Sequence, residues 1–227
     1  MHELGLYCGT FNPIHIGHLL IAEAARDQFN LESVIFVTSP RPPHRSSDLL
    51  DGEARHMLVS AAVAENKHFR TSRMELDRQG KSFTSQTVRQ LAKEASETYA
   101  DNNWRINLIV GSDNIEQLPT WHEADYLFET CRFLVAPRML PTVDKNDHDD
   151  ADSETTDSVL ATVSKVELPK NLSSVKSHFE TIEFPYVAIS SSAIRARLKA
   201  GRSVLYMVPP AVNELLLTRN FYGPIRK

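Results

Sequence analysis

Two histidines stand three residues apart in "CGTFNPIHIGHL", Cys8 to Leu19, with a Gly-Thr pair ahead of them and a glycine between them. The short apolar run "ELGLY" before the motif reads as a strand, and a helical pattern runs on from about Ile14. Gly9 lets the backbone come close to a ligand, and a helix N-terminus offers N–H groups and a positive dipole end. If the helix has begun by His15, then His15 and His18 share one face. Imidazoles placed there can donate hydrogen bonds to phosphate oxygens whose charge grows in a transition state. A metal site is a second reading, but it needs further ligands at ligand spacing, and no such Cys, His or Asp cluster is offered. A capped helix with satisfied histidines is a third, and it accounts for one histidine better than for two. The two standard phosphate loops, G-x-x-x-x-G-K-[ST] and G-x-G-x-x-G, are missing, which argues against a P-loop kinase and a common NAD oxidoreductase.

Further stretches carry residue types that suit the same chemistry. In "ISSSAIRARL", Ser190 and Ser192 are N-cap candidates and Arg195 lies one turn in. A hydroxylated helix start with an arginine suits a polyphosphate; taken alone it is more commonly a serine cap with a surface arginine. In "PPHR", Pro42 to Arg45, the prolines stiffen a loop from which His44 and Arg45 reach the same phosphates, or simply face solvent. Thr84 and Ser85 of "SFTSQT" head a helix, an anion site large enough for a carboxylate. Gly111 and Asp113 end a predicted strand, where a carboxylate can accept hydrogen bonds from ribose hydroxyls. Trp121 follows Pro-Thr and begins a predicted short helix; its indole either stacks on a flat ring or fills core.

These stretches need a scaffold, and the hydrophobic pattern supplies one. "SVIFV", "RINLIV" and "CRFLVA" are continuous apolar runs of the kind a parallel sheet buries on both faces. Between them lie helical patterns, with Ala54, Met57, Leu58 and Ala61 on one stripe and Val88, Leu91, Ala92 and Ala95 on another. The alternation predicts an α/β fold, a Rossmann-like doubly wound parallel sheet with flanking helices. "FETIEF" adds a strand, and Val212, Leu215 and Leu216 mark a C-terminal helical segment. In such sheets ligands bind outside the carboxyl ends of the strands. The rhythm fails at about 141–176, where "DKNDHDDADSETTD" holds seven acidic residues in fourteen. That stretch is expected to be a flexible acidic insertion in a single domain spanning 1–227.

The chain has 227 residues, enough for one α/β domain with a substantial core. Its net charge of −4 gives no basic field for nucleic acid. No apolar run approaches the roughly 18 residues of a membrane span, and "MHELGLYCGTF" lacks the basic start of a signal peptide. Cys8 and Cys131 both fall in predicted strands, as small buried thiols of a cytoplasmic protein do.

Together the pieces "CGTFNPIHIGHL", "PPHR", "RHML", "SFTSQT", "GSD", "PTW" and "ISSSAIR" resemble the nucleotidyltransferase superfamily with an H-x-G-H signature. Within it the chain is similar to the bacterial nicotinate mononucleotide adenylyltransferases. The H-x-G-H piece is shared by many relatives; "SFTSQT" and "PTW" narrow the match. The resemblance implies a step of NAD synthesis in which ATP and nicotinate mononucleotide give nicotinate adenine dinucleotide and pyrophosphate. It implies catalysis by His18 and His15, and ATP binding by Gly9, Thr10, Phe11, His15, His18, Arg45, Gly111, Asp113, Ser190, Ser192 and Arg195. It also implies nicotinate mononucleotide binding by Thr84, Trp121 and His122, with Mg²⁺ bound mainly through ATP phosphates and no protein-held metal. The partners implied are the two substrates, with neither nucleic acid nor membrane, and a homo-oligomer is compatible. The nearest alternative acceptor is nicotinamide mononucleotide; a pantetheine-phosphate or cytidylyl-type relative and a nucleotide-binding regulator without catalysis are others. Cys8, Asn12 and Thr38-Ser39 depart from the family's usual glycine, aspartate and proline-containing pair.

Overall fold

The computed structural model describes residues 1–40, 48–137, 169–185 and 187–223. Strand β1 (His2–Gly9) leads into helix α1 (Ile16–Gln28), then β2 (Ser33–Thr38), α2 (Gly52–Val63) and β3 (Phe69–Ser72). Helix α3 (Thr84–Thr98) crosses to β4 (Trp104–Gly111). A 3₁₀ segment (Ser112–Thr120), α4 (Ala124–Thr130) and β5 (Cys131–Ala136) follow. After a second 3₁₀ segment (Lys170–His178) come β6 (Phe179–Thr181), α5 (Ser191–Lys199) and α6 (Pro210–Thr218).

The six strands form one sheet in the order β3-β2-β1-β4-β5-β6, all pairings parallel. The order reverses between β1 and β4, so the chain leaves these two neighbours in opposite directions and opens a crevice beyond their carboxyl ends. Gly9 ends β1 and Gly111 ends β4, so both expected ligand-side glycines stand at this switch point.

The continuous apolar runs are explained by two layers of cover. Tyr7, Phe36, Ile109 and Leu134 join one apolar cluster with residues of α1, α2, α5 and α6. Their neighbours Leu6, Val37, Leu108, Val110, Phe133 and Val135 join a second with residues of α3 and α4. Successive strand residues point to opposite faces, so a strand covered on both sides has no polar register. Small side chains let α1 lie close, with Ala22 and Ala25 fully buried. The α3 stripe is as expected, with Val88, Leu91 and Ala95 buried.

The α2 stripe differs from its expectation. The buried residues are Ala54, Arg55, Leu58, Val59 and Val63, whereas Met57 and Ala61 are half-buried. A charged residue lies on the buried face, which a hydrophobic period does not register. Arg55 is 0% exposed. Its Nη1 donates to the Thr10 carbonyl at 2.6 Å, Nη2 to Pro40 at 3.1 Å and Nε to Leu50 at 3.0 Å. It thereby ties together the loop after β1, the loop after β2 and the start of α2. Burial pulls its pKa below the usual guanidinium value, with the Asp51 carboxylate acting the other way. A guanidinium nevertheless stays charged in proteins.

Other boundaries also move. The β6 strand is shorter than "FETIEF", although Ile182 stays buried and donates to the Val135 carbonyl at 2.8 Å. Trp121 does not open a helix; it follows the first 3₁₀ segment, ahead of α4. Part of the expected insertion is packed, since Leu172 of the second 3₁₀ segment is 1% exposed in the second cluster. The acidic stretch from Asp144 to Asp157 lies outside the described residues, as does "PPHR" with Arg45. Among the described residues no helix is long and apolar enough to cross a membrane.

Replacing Arg55 with Met keeps volume but strands three carbonyls. Each buried acceptor left unsatisfied costs about 1–3 kcal/mol. Urea unfolding of Arg55→Met is expected to show a loss of at least about 3 kcal/mol, partly recovered in Arg55→Lys. A loss under about 0.5 kcal/mol would refute the tether.

Candidate functional site

At the end of β1 the chain doubles back. Phe11 takes a left-handed φ of 46°, which folds its ring beneath Gly9. A Cβ on Gly9 would come within 2.7 Å of that ring, so only glycine fits here. The Phe11 ring is 3% exposed and meets the His18 ring edge-on, centroids 5.2 Å apart. Its side chain therefore props the catalytic candidate from below, and only its main chain remains for the nucleotide contact that the resemblance implied.

The two imidazoles are in contact. Their centroids lie 3.8 Å apart at an interplanar angle of 32°. His15 is the N-cap residue of α1, not its first turn, and His18 sits three residues on. The His15 backbone N–H donates to His18 Nδ1 at 3.2 Å. A neutral imidazole whose Nδ1 accepts must carry its proton on Nε2. The fold thus prepares His18 Nε2–H as a donor. Gly17 lies close against the pair, since a Cβ there would sit 3.1 Å from His15 Nδ1 and Cε1 and press on that ring.

Helix α5 is bonded onto the same turn. Arg195 Nη1 donates to the Asn12 carbonyl at 2.8 Å, and Ser191 Oγ donates to the Pro13 carbonyl at 2.8 Å. Arg195 Nη2 lies 3.4 Å from Ser192 Oγ. Ser190 is the N-cap, accepting from the Ala193 N–H at 3.2 Å. Ser190 and Ser192 are exposed at the helix head. The distant "ISSSAIR" is thereby brought beside the histidine pair. Ser191, which sequence reasoning passed over, does the docking; three consecutive serines gave no signal for which one turns inward.

Beyond β4, a second group assembles. Any Cβ on Gly111 would collide with the Asp113 carboxylate, which also accepts from Asn114 Nδ2 at 3.3 Å. Asp113 is exposed at the carboxyl end of the sheet. Phe83, the N-cap of α3, stacks on His122 with centroids 4.3 Å apart and 14° between planes. Ser85 Oγ and His122 Nδ1 are hydrogen-bonded at 3.2 Å. Arg89 donates to Glu123 at 2.9 Å. Thr84 opens α3 and is half-buried, as is Trp121, whose indole packs on the second apolar cluster. The "SFTSQT" and "PTW" stretches therefore meet through His122. Phe83 was missed by sequence reasoning, although an aromatic just ahead of a helix start is a readable signal.

A buried carboxylate lies behind this group. Glu75 is 4% exposed and accepts from Thr87 Oγ1 at 2.8 Å. Burial raises its pKa, against hydrogen bonds led by Thr87. Burial and, secondarily, Glu75 push the Cys8 thiol well up. Cys8 thus stays protonated and makes a poor nucleophile at the end of β1. Among the described residues no three His, Cys, Asp or Glu side chains converge as metal ligands.

Comparison with known proteins agrees with this geometry. The cytidylyltransferase-like family profile matches residues 6–197. A Moorella thermoacetica protein named "probable nicotinate-nucleotide adenylyltransferase" is 36% identical over 223 residues, covering 98% of this chain and 92% of its own. A Lachnoclostridium phytofermentans protein of the same name is 33% identical, covering 98% and 100%. The Plasmodium falciparum nicotinic acid mononucleotide adenylyltransferase complexed with NaAD shares the fold at TM-score 0.65 and 16% identity, covering 98% of each chain. With its strand order, its histidine turn and its near full-length relatives, the chain belongs to the cytidylyltransferase-like family, among the nicotinate-nucleotide adenylyltransferases.

Proposed function

We propose that the chain transfers the adenylyl group of ATP to nicotinate mononucleotide, giving nicotinate adenine dinucleotide and pyrophosphate. The observation that carries this reading is the bonding of α5 onto the histidine turn at the switch point, through Ser191 to Pro13 and Arg195 to Asn12. It gathers imidazoles, hydroxyls and a guanidinium at one turn, while His122 joins the α3 start to the region past β4. The full-length relatives favour the same reaction.

The phosphate oxygen of the mononucleotide attacks the α-phosphorus in line, and the bond to the β-phosphate bridging oxygen breaks. Charge leaves with pyrophosphate, so the protein's work is positioning and charge stabilisation. His18 Nε2–H donates to the phosphate oxygens that gain charge, and His15 supports it through ring contact. Ser190, Ser192 and Arg195 hold the β/γ end, with Arg45 as an added phosphate contact. Gly9, Thr10 and Phe11 offer main chain to the nucleotide, and Gly111 and Asp113 face its ribose. Thr84, Trp121 and His122 surround the pyridine, and main-chain N–H groups near Thr84 and His122 receive its carboxylate. No covalent enzyme intermediate is involved, in keeping with a protonated Cys8.

The donor set around the histidine turn is imidazole, hydroxyl and guanidinium. Such a set suits Mg²⁺ that arrives on ATP oxygens and keeps its waters, rather than a carboxylate cage. The ion supplies charge neutralisation on the triphosphate. Two free thiols and consumption of ATP suit the cytoplasm.

His18→Ala is expected to lower turnover by at least about a hundredfold in a pyrophosphate-release assay, the scale of a lost transition-state donor. Turnover within about threefold of the parent would remove His18 from the mechanism. Side by side, nicotinate mononucleotide is expected to exceed nicotinamide mononucleotide in kcat/KM by about tenfold or more, since hydrogen bonds to a charged group are the stronger ones. A preference for the amide would overturn the choice of acceptor.

A further inference from the structure

The turn that carries the histidines is held from a distant part of the chain. Asn12 is 6% exposed, and its amide makes three hydrogen bonds. Nδ2 donates to the Asp48 carbonyl at 3.1 Å. Oδ1 accepts from the Leu50 N–H at 3.2 Å and from the Tyr222 hydroxyl. The same residue's main-chain oxygen takes Arg195. One side chain thus joins the turn after β1, the approach to α2 and the tail after α6, while its main chain holds α5.

Tyr222 is built for this contact. It follows α6 with a left-handed φ of 59°, two residues after Asn220 at 50°. A bulky residue in that region is strained and persists only where its surroundings over-determine it. The ring packs against the first apolar cluster, with Phe221 beside it. Burial raises the phenol's pKa, against the nearby Arg195 and Arg55 charges. The hydroxyl therefore remains a donor throughout the working pH range.

We propose that Tyr222 is a positioning residue for the ATP half of the site: its hydroxyl, donated to Asn12 Oδ1, fixes the turn that presents His15, His18 and the Arg195 guanidinium. This rests on the reading of the site as an ATP site. Tyr222 touches no reacting atom; it acts through Asn12. Asn12 also matters as an amide. A carboxylate at this position would keep an acceptor for Tyr222 but lose the donor to Asp48.

Tyr222→Phe removes only the hydroxyl and keeps the packed ring. In the full-length enzyme it is expected to raise the KM for ATP by about three- to tenfold and leave the KM for nicotinate mononucleotide within about twofold, the scale of one lost hydrogen bond. The affinity for a non-hydrolysable ATP analogue, read by calorimetry, should fall by the same factor. A bond that serves stability alone would lower the melting temperature and leave that affinity untouched; that result overturns the proposal. The second arm pairs Tyr222→Phe with Asn12→Ala. If Tyr222 acts through Asn12, the double variant binds the analogue no more weakly than Asn12→Ala alone. Fully multiplicative losses overturn the route through Asn12. A parent that binds the analogue but releases no pyrophosphate with nicotinate mononucleotide defeats the proposed acceptor and leaves the Tyr222 proposal to the binding arm. A parent that does not bind the analogue defeats both.

Discussion

One buried charge organises the turn that carries the two histidines. Arg55 sits where a helix would ordinarily place an aliphatic residue, wholly out of water. A cation in that position is unfavourable unless its donors are taken up. Here they are taken up by three main-chain carbonyls, from Thr10, Pro40 and Leu50. The guanidinium is planar and rigid, so three directions of space are fixed at once. Loops that leave adjacent strands have no ladder to hold them, and Arg55 is the substitute. The turn from Gly9 to His15 takes its starting geometry from that bond to Thr10. The groups that accept its hydrogen bonds are peptide carbonyls, and the Asp51 carboxylate adds a Coulombic attraction.

The rest of the site is built outward from this anchor by contacts of different physical kinds. Aromatic packing sets the height of His18, through the Phe11 ring beneath Gly9. A backbone hydrogen bond sets its tautomer. Side-chain donors on α5 and main-chain acceptors on the turn set the distance between α5 and the histidine turn. Across β4 the logic changes, because His122 is held by a ring stack with Phe83 and a hydroxyl from Ser85. The two halves meet where the sheet reverses direction, and each half has its own apolar cluster behind it.

Much of this was legible in the amino-acid order. Strands covered on both faces must be apolar throughout, so the sheet could be read from "SVIFV", "RINLIV" and "CRFLVA". The histidine pair, the serine-rich helix head and the glycines at strand ends could be read because each answers to a local rule of backbone or chemistry. Residues whose meaning depends on a remote neighbour were not legible. A hydrophobic period runs the α2 stripe through Met57 and Ala61 because it has no place for a cation that is buried by carbonyls. Ser191 and its flanking serines are chemically identical until the Pro13 carbonyl selects one of them. The inward ring of Phe11 was not legible either, because nothing local shows that its backbone takes a left-handed turn.

The bond between Asn12 and Tyr222 spans 210 positions of the chain. A ribosome adding roughly 5–20 residues per second therefore spends on the order of 10–40 s between making the two partners. Throughout that interval the histidine turn exists without its phenol and, for most of it, without the arginine of α5. The fully tethered histidine turn is thus something the emerging polypeptide acquires late. Contacts of such long sequence separation also form late and slowly when a full chain refolds. Order in the histidine turn is, in that sense, a report that the two ends of the fold have found each other.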